Sequence, residues 1–204
     1  MLWWENPGHL EVKDNKLQIG GFFCEDLANR FGTPTYVYNE NRIVDNFTRI
    51  RESLEKYADR EVAVYYAVKA NYAPPILKVL AGKGARADVV SLNEAWIARN
   101  CGFDKDKIMF TGTSVDDATI RYLLESGILT NIDSFSQMKR LAQQKEKMQI
   151  SSEIDVSIRW NPGAGSGFNP KTITAGAESH GMPIKNIRKR RILRSSGMIY
   201  TPSH

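Results

Sequence analysis

Residues 62–71 read Val-Ala-Val-Tyr-Tyr-Ala-Val-Lys-Ala-Asn, and this stretch decides the fold. Five aliphatic residues and two tyrosines fill positions 62–68, a composition typical of a strand buried on both faces of a sheet. The apolar run stops at Lys69, and the pair Pro74-Pro75 then begins a helical pattern. A single cation therefore follows a buried strand directly, where a loop begins.

Beyond this stretch, short apolar runs alternate with helical patterns along the chain. The predicted strands are 62–68, 87–90, 108–111, 128–132 and 154–160. The predicted helices between them are 74–83, 92–101, 116–126 and 135–148. Such alternation is typical of parallel βαβ units. Because no Gly-x-Gly-x-x-Gly phosphate turn is present, it favours part of a (β/α)8 barrel over a doubly wound nucleotide-binding sheet.

Three charged residues lie where these strands end, which is the catalytic face of a (β/α)8 barrel. Lys69, with its stem in apolar surroundings, could lose its proton and act as an amine nucleophile towards an aldehyde. A lysine that only extends from a strand end into water gives the same pattern. Asp88 and Arg159 have alternatives too, since the first could be a loop or capping carboxylate and the second a surface arginine with a buried stem.

The residues before the barrel pattern predict a small N-terminal segment. Loose alternation over 8–23 resembles a short hairpin, and a short helix is expected over Glu25–Phe31. The stretch Phe31–Tyr38 predicts a turn that leads into a strand. A helix is then expected from an N-cap at Asn39 to about Tyr57.

Composition and charge exclude several classes of function. The net charge is +5, and the basic residues of the tail account for all of it, namely Arg188, Lys189, Arg190, Arg191 and Arg194. Residues 1–185 are therefore neutral overall, which argues against nucleic acid as a partner. No apolar run approaches the roughly 20 residues of a membrane helix, and no signal peptide begins the chain. The isolated cysteines Cys24 and Cys101 predict free thiols, so a cytoplasmic protein is expected.

The opening stretch also resembles a known signature, formed here by Tyr66-Ala-Val-Lys69-Ala-Asn71, Ile76-Leu77, Leu80 and Gly84. It is the cofactor-attachment signature of the ornithine, arginine and diaminopimelate decarboxylases, which use pyridoxal 5′-phosphate and have alanine-racemase-like barrels. The resemblance extends from about Leu17 to about Lys185. It implies an α/β fold that is a partial (β/α)8 TIM-like barrel, with Lys69 as the residue that attaches pyridoxal 5′-phosphate.

The resemblance also implies roles for the other charged residues. Gly84-Ala-Arg-Ala-Asp88-Val-Val-Ser91-Leu-Asn-Glu94 matches a second family motif. It implies that Asp88 lies close to the cofactor, near the attached lysine, and that Glu94 belongs to the residues that support the site from behind. An ion pair between Asp88 and Lys69 could hold the lysine before the cofactor binds. Arg159 matches an arginine on the rim of the family's barrel.

One family residue has no counterpart. Family members carry a histidine that stacks on the pyridine ring, after an Asn-Pro-Gly loop like that of Asn161–Gly167. The matching stretch, Phe168–Gly176, contains no histidine, and His180 comes too late. Phe168 or Asn169 would take that position, and Asn169 is included among the cofactor-binding candidates. The glycine-rich loop itself is expected to be an active-site loop, with a phosphate cradle as the alternative.

The C-terminal part departs from the family. Family members continue after the position of Lys185 with about as much chain again, which holds the remaining barrel strands, a phosphate-binding glycine loop and a β-domain that completes the site of a homodimer. A basic, disordered or out-of-family tail over 186–204 is expected here instead, as in a truncated or frame-shifted chain. The expected division is an N-terminal segment over 1–35, the barrel portion over 36–185, and the tail.

Three hypotheses about function follow. The first is pyridoxal-phosphate-dependent decarboxylation of a small amino acid, with meso-diaminopimelate as the first choice and lysine as the product, the truncated chain itself being inactive. The second is a non-catalytic remnant or a regulatory relative that binds a full-length partner. The third is an ornithine or arginine decarboxylase, or a racemase-like barrel with the same cofactor.

Overall fold

A computed structural model describes residues 5–59 and 61–161, together with the backbone of 182–183. Contacts divide the chain into two units, which are described separately. The first comprises Met1–Val64 and Ala73–Ala85, and the second comprises Tyr65–Tyr72 and Arg86–His204. No helix in the described ranges is long and apolar enough to cross a membrane.

The first unit begins with the predicted hairpin. Strands β1 (Leu10–Lys13), β2 (Lys16–Ile19) and β3 (Phe22–Phe23) form an antiparallel sheet in that order. Asp14 and Asn15 join β1 to β2, with φ of 51° and 59°. These angles belong to the two-residue turn that Asn and Asp favour, because its twist matches that of the strands.

Helix α1 (Cys24–Phe31) follows directly and ends at Gly32, as predicted. The strand expected within Phe31–Tyr38 is wrong, because residues 32–39 form neither strand nor helix. No strand in the described structure pairs with this segment, and Tyr36 is 90% exposed. Its aromatic residues therefore reflect a solvent-facing connection and not a buried strand.

Two helices complete the first unit and pack against each other, α2 (Glu40–Glu55) and α3 (Pro74–Gly82). The side chain of Asn39 accepts a hydrogen bond from the Arg42 backbone N–H at 3.2 Å, which confirms the predicted N-cap of α2. The prolines of α3 occupy its first turn, where the missing N–H costs no helical hydrogen bond.

The second unit contains the predicted parallel sheet. Its strands are β4 (Tyr65–Ala67), β5 (Arg86–Val89), β6 (Ile108–Phe110), β7 (Leu129–Ile132) and β8 (Val156–Ile158). They lie in the order of the sequence, and every neighbouring pair is parallel. A doubly wound sheet reverses its strand order at a switch point, whereas a barrel advances one strand at a time. The order therefore agrees with the expected part of a barrel.

Strands β5, β6 and β7 are each followed by a helix that begins at a capping side chain. The helices are α4 (Leu92–Asn100), α5 (Asp117–Ser126) and α6 (Phe135–Lys147). Ser91, Asp116 and Ser134 each accept a hydrogen bond from a backbone N–H in the first turn of their helix. Gly127 ends α5 in the left-handed conformation, with φ of 67°. These helices lie within one residue of their predicted ends.

The strands differ more from the prediction. The run 62–68 was expected to be one strand buried on both faces, but only Tyr65–Ala67 is strand and these residues are half-buried. Among the described strands only β5 pairs with β4, and its first residue, Arg86, lies opposite Tyr65. Residues 62–64 therefore have no partner strand in the described structure. The run 154–160 divides into β8 and a short β9 (Trp160–Asn161), which pairs in parallel with β10 (Met182–Pro183).

Successive side chains of a strand point to opposite faces of the sheet, and here one face is buried while the other is half-buried. One face is buried and carries Ala87, Val89, Ile108, Phe110, Thr130 and Ile132. The other face is half-buried and carries Arg86, Asp88, Met109, Leu129, Asn131 and Ser157. Helices α4 and α6 contact the strands of the buried face, so the half-buried, more polar face is the one that a barrel turns inward.

Candidate active site at the carboxyl edge of the sheet

Lys69 lies on a short 3-10 turn, Val68–Ala70, which follows β4 directly. Val68 is fully buried and anchors the turn, whereas Lys69 is exposed. The hydroxyl of Tyr66 donates a hydrogen bond to the carbonyl of Asn71 at 3.1 Å, which closes the turn. The amine is thus presented at the carboxyl edge and not enclosed by apolar side chains as the sequence led us to expect.

Asp88 belongs to β5 and is half-buried on the polar face. Its register partners are Ala67 of β4 and Met109 of β6. The Thr111 hydroxyl donates a hydrogen bond to Oδ1 of Asp88 at 2.5 Å. The turn that carries Lys69 contacts β5, so the lysine and the carboxylate belong to adjacent segments.

The suggested ion pair between Lys69 and Asp88 is absent from the described part of the chain. Thr111 follows β6, and its backbone N–H also donates to the carbonyl of Val89 at 2.8 Å. This places its hydroxyl beside Asp88, so the carboxylate is held by a hydroxyl from the next strand and not by the lysine.

Glu94 supports the segment that follows Asp88. Its carboxylate accepts a hydrogen bond from the backbone N–H of Val90 at 2.9 Å, while its own N–H donates to Ser91 Oγ at 3.2 Å. Both ends of this link lie in the βα connection between β5 and α4. The geometry agrees with the supporting role implied by the resemblance.

The same pair of hydrogen bonds recurs in the connection between β7 and α6. Gln137 accepts from the N–H of Asp133 at 2.8 Å and donates its own N–H to Ser134 Oγ at 3.2 Å. Two βα connections at the carboxyl edge are therefore closed by the same local device, a variant of the capping box.

Arg159 lies just after β8, at the same edge of the sheet. Its backbone N–H donates to the carbonyl of Ile132 at 2.8 Å, which fixes the residue to β7, and its side chain is half-buried. Within residues 5–59 and 61–161 its guanidinium forms no hydrogen bond or ion pair. Asn169, Phe168, His180 and the loop after Asn161 lie outside the described residues.

The polar face below this edge has its own hydrogen bonds. Arg86 donates to the Tyr65 hydroxyl at 3.2 Å and lies over the ring of that tyrosine, 5.7 Å from its centre. Ser157 donates to Asn131 Oδ1 at 2.8 Å, which links β8 to β7. These pairs satisfy polar groups that would otherwise be costly to bury.

A cavity of about 420 Å³ lies beside the site, between the starts of α4 and α5. Ser91, Asn93, Thr113, Asp116 and Thr119 give its walls a polar character. Neither Lys69 nor Asp88 lines it, so this cavity is separate from the residues that could react.

Two carboxylates at the start of α5 have lowered pKa values. The pKa of Asp116 lies below its ordinary value, mainly because its side chain accepts a hydrogen bond from the Thr119 backbone N–H. The pKa of Asp117 is lowered mainly by the hydrogen bond from Arg140, whose Nη2 lies 2.6 Å from Asp117 Oδ1. Both groups are therefore negative at neutral pH, where Asp116 caps α5 and Asp117 links α5 to Arg140 of α6.

Sequence reasoning missed Thr111. The signal was available, because a hydroxyl residue directly follows the apolar run Ile108–Phe110 at the carboxyl end of a strand. What the sequence lacks is the register, which brings position 111 next to position 88 on the adjacent strand.

The residues present at this edge fit pyridoxal phosphate. The cofactor is an aldehyde with an anionic phosphate, and Lys69 offers an exposed amine to the aldehyde. Arg159 offers a cation without a described partner, and Asp88 offers a carboxylate with a fixed orientation. An amine, a carboxylate and a guanidinium at one edge of a parallel sheet suit an anionic carbonyl compound better than a metal or a nucleic acid.

Comparison with known proteins shows the family to which this chain belongs. Residues 40–196 match the family described as pyridoxal-dependent decarboxylase, pyridoxal binding domain. The match runs past Lys185, where the resemblance was expected to end. The diaminopimelate decarboxylase of Methanothermobacter thermautotrophicus is 37% identical over 172 residues, which cover 83% of this chain and 39% of that protein.

Solved structures show the same relationship. The diaminopimelate decarboxylase of Methanocaldococcus jannaschii superposes with a TM-score of 0.77 at 31% identity, covering 87% of this chain and 42% of that one. Its complex with L-lysine gives a TM-score of 0.74 at 30% identity. The prediction of a partial (β/α)8 barrel is thus confirmed. The chain spans about two fifths of the length of these relatives, and it belongs to the pyridoxal-dependent decarboxylase family, whose pyridoxal-binding domain it carries.

Proposed function

We propose that this chain provides the cofactor-binding part of a pyridoxal-phosphate-dependent amino-acid decarboxylase, with meso-diaminopimelate as substrate and lysine as product. The observation that carries the proposal is the position of Lys69, exposed on a turn that contacts the strand of Asp88. The substrate rests on similarity alone, because the relatives named above are diaminopimelate decarboxylases.

Each residue at the edge has a distinct task. Lys69 supplies the amine to which the cofactor attaches. Asp88 holds a negative charge on the strand that the turn of Lys69 contacts, and its carboxylate accepts a hydrogen bond from Thr111. Arg159 supplies a cation to the anionic cofactor. When bound, pyridoxal phosphate takes up the electron pair that is left when carbon dioxide departs.

A polypeptide of these 204 residues, expressed alone, should release no carbon dioxide and should tend to aggregate. In the described sheet, β4 and β8 are each paired on one side only. Unpaired strand edges favour association, and lost contacts matter when net stability is only about 5–15 kcal/mol. The measurement is carbon dioxide release from diaminopimelate, ornithine, arginine and lysine with added cofactor. Turnover that disappears in Lys69→Ala would show that the isolated polypeptide is sufficient.

Activity should appear in a fusion protein, in which this chain is followed by the C-terminal part of the Methanothermobacter relative. That part lies beyond the region that matches this chain. In this fusion Asp88→Asn should lower kcat/KM for diaminopimelate by roughly 10- to 100-fold, since a hydrogen bond to a charged group contributes about 1.5–3 kcal/mol. Asp104→Asn, which changes an exposed acid away from the site, should leave it unchanged. A soluble fusion that binds no cofactor, or one in which Asp88→Asn has no effect, would contradict the proposal.

A further inference from the structure

We infer that Thr111 is a positioning residue, which orients the carboxylate of Asp88 for the cofactor-binding site. The inference rests on the proposed function and adds to it a residue that neither the signature around Lys69 nor the motif around Asp88 contains. The observation is the 2.5 Å hydrogen bond from Thr111 Oγ1 to Asp88 Oδ1, which joins the carboxyl ends of two adjacent strands.

The position of Thr111 is fixed by its backbone. Its N–H donates to the carbonyl of Val89 at 2.8 Å, which continues the ladder between β5 and β6 by one residue. The next residue, Gly112, has no room for a side chain. A Cβ there would lie 2.5 Å from the Val90 carbonyl oxygen and 2.5 Å from the ring of Phe110. The backbone of Thr111 and Gly112 is therefore held against the end of β5, the strand that carries Asp88.

This hydrogen bond restricts what Asp88 can do. A carboxylate on a half-buried strand would otherwise rotate among several orientations, at a cost in entropy when one is selected. With Oδ1 held by Thr111, fewer orientations are open to the carboxylate. Oδ2 accepts no hydrogen bond from the described residues and remains available to a cationic group. Orientation before binding is the kind of contribution that a positioning residue makes.

The test uses the fusion with the C-terminal part of the Methanothermobacter relative, unmodified and in three variants. Thr111→Val keeps the shape and removes the donor, Thr111→Ser keeps the donor, and Thr113→Val makes the same change in the same loop away from Asp88. Pyridoxal phosphate is titrated into each, and the absorbance of the lysine-attached cofactor gives an apparent Kd and the midpoint of its pH titration. Thermal unfolding of each variant is measured in parallel.

Thr111→Val should weaken cofactor binding roughly tenfold and shift the pH midpoint, because one hydrogen bond to a charged group is lost. Thr111→Ser and Thr113→Val should stay within about twofold of the unmodified fusion. Asp88→Asn combined with Thr111→Val should be no worse than Asp88→Asn alone, since the hydroxyl acts through that carboxylate. If Thr111→Val does not fold, Thr111→Ala removes the same donor with less volume and takes its place.

Unchanged affinity and pH midpoint in the variant that lacks the hydroxyl would overturn the inference. A loss in Thr111→Ser equal to that in Thr111→Val would overturn it too, since the hydroxyl would then not be the cause. The proposed function fails separately, if Lys69→Ala keeps the cofactor absorbance. When Lys69→Ala abolishes the absorbance and Thr111→Val leaves it intact, only the role of Thr111 is wrong.

Discussion

Gly112 lies where the end of β6 meets the end of β5, against the ring of Phe110 and the carbonyl of Val90. Gly112→Ala should destabilise the fold by about 1–3 kcal/mol, because the added methyl group forces two strand ends apart. It should also disturb the neighbouring hydrogen bond between Thr111 and Asp88. Urea unfolding followed by circular dichroism gives the change in the free energy of unfolding.

The matched control is Gly82→Ala. Gly82 is the last residue of α3, and a Cβ there meets nothing within 4 Å. Alanine in a helix is favoured over glycine by roughly 0.5–1 kcal/mol, so this variant should be neutral or more stable. Equal effects at the two glycines would show that the contact around Gly112 is looser than the structure indicates.

At the scale of single residues, the sequence predicted that Lys69 follows a strand, because an apolar run that stops at a charge marks the end of a buried strand. It did not predict what Asp88 contacts. An ion pair with Lys69 was suggested, whereas the register between β5 and β6 brings Thr111 to its carboxylate. Residue type and spacing do not carry that information.

Helices α5 and α6 pack together through an ion pair that should make stability depend on pH. Arg140 bonds Asp117 and also donates to the carbonyl of Val115 at 2.6 Å. Because the pKa of Asp117 is lower in the folded chain than its ordinary 3.8, the ionised group stabilises the fold above that value. The stabilisation is lost as the pH falls through the folded pKa. The difference in unfolding free energy between the unmodified chain and Asp117→Asn should therefore be largest near neutral pH and shrink below about pH 4.

Glu125→Gln is the control, since Glu125 is an exposed acid of the same helix with no ion pair in the described structure. Its stability difference from the unmodified chain should be small across the same pH range. A difference for Asp117→Asn that does not change with pH would mean that the ion pair with Arg140 contributes nothing.

Elements with strong end signals were predicted well. Helices α2, α4, α5 and α6 begin at a side-chain cap that the sequence displays, and α5 ends at a glycine. Strand ends carry no such signal, because they depend on the neighbouring strand. This is why 62–68 shortened to Tyr65–Ala67 and why the segment before Asn39 formed no strand at all.

For the molecule as a whole, the division of the sheet into a buried face and a polar face explains why the candidate site lies at its edge. The apolar face is covered by helices, while the other face carries polar pairs such as Tyr65 with Arg86 and Asn131 with Ser157. Lys69 after β4, Asp88 near the end of β5 and Arg159 after β8 then lie along one edge of the sheet. Alternation of strands and helices predicted this architecture, and the family comparison confirmed it as part of a barrel.

The measurement that tests the central claim most directly is the location of the attached cofactor. The fusion with the C-terminal part of the Methanothermobacter relative is incubated with pyridoxal phosphate, reduced with borohydride and digested, and the modified peptide is identified by mass spectrometry. We expect the pyridoxyl group on Lys69, absent from Lys69→Ala and retained in Lys83→Ala, which changes an exposed lysine at the end of α3. Stoichiometric modification of any other lysine, with Lys69 unmodified, would contradict the account.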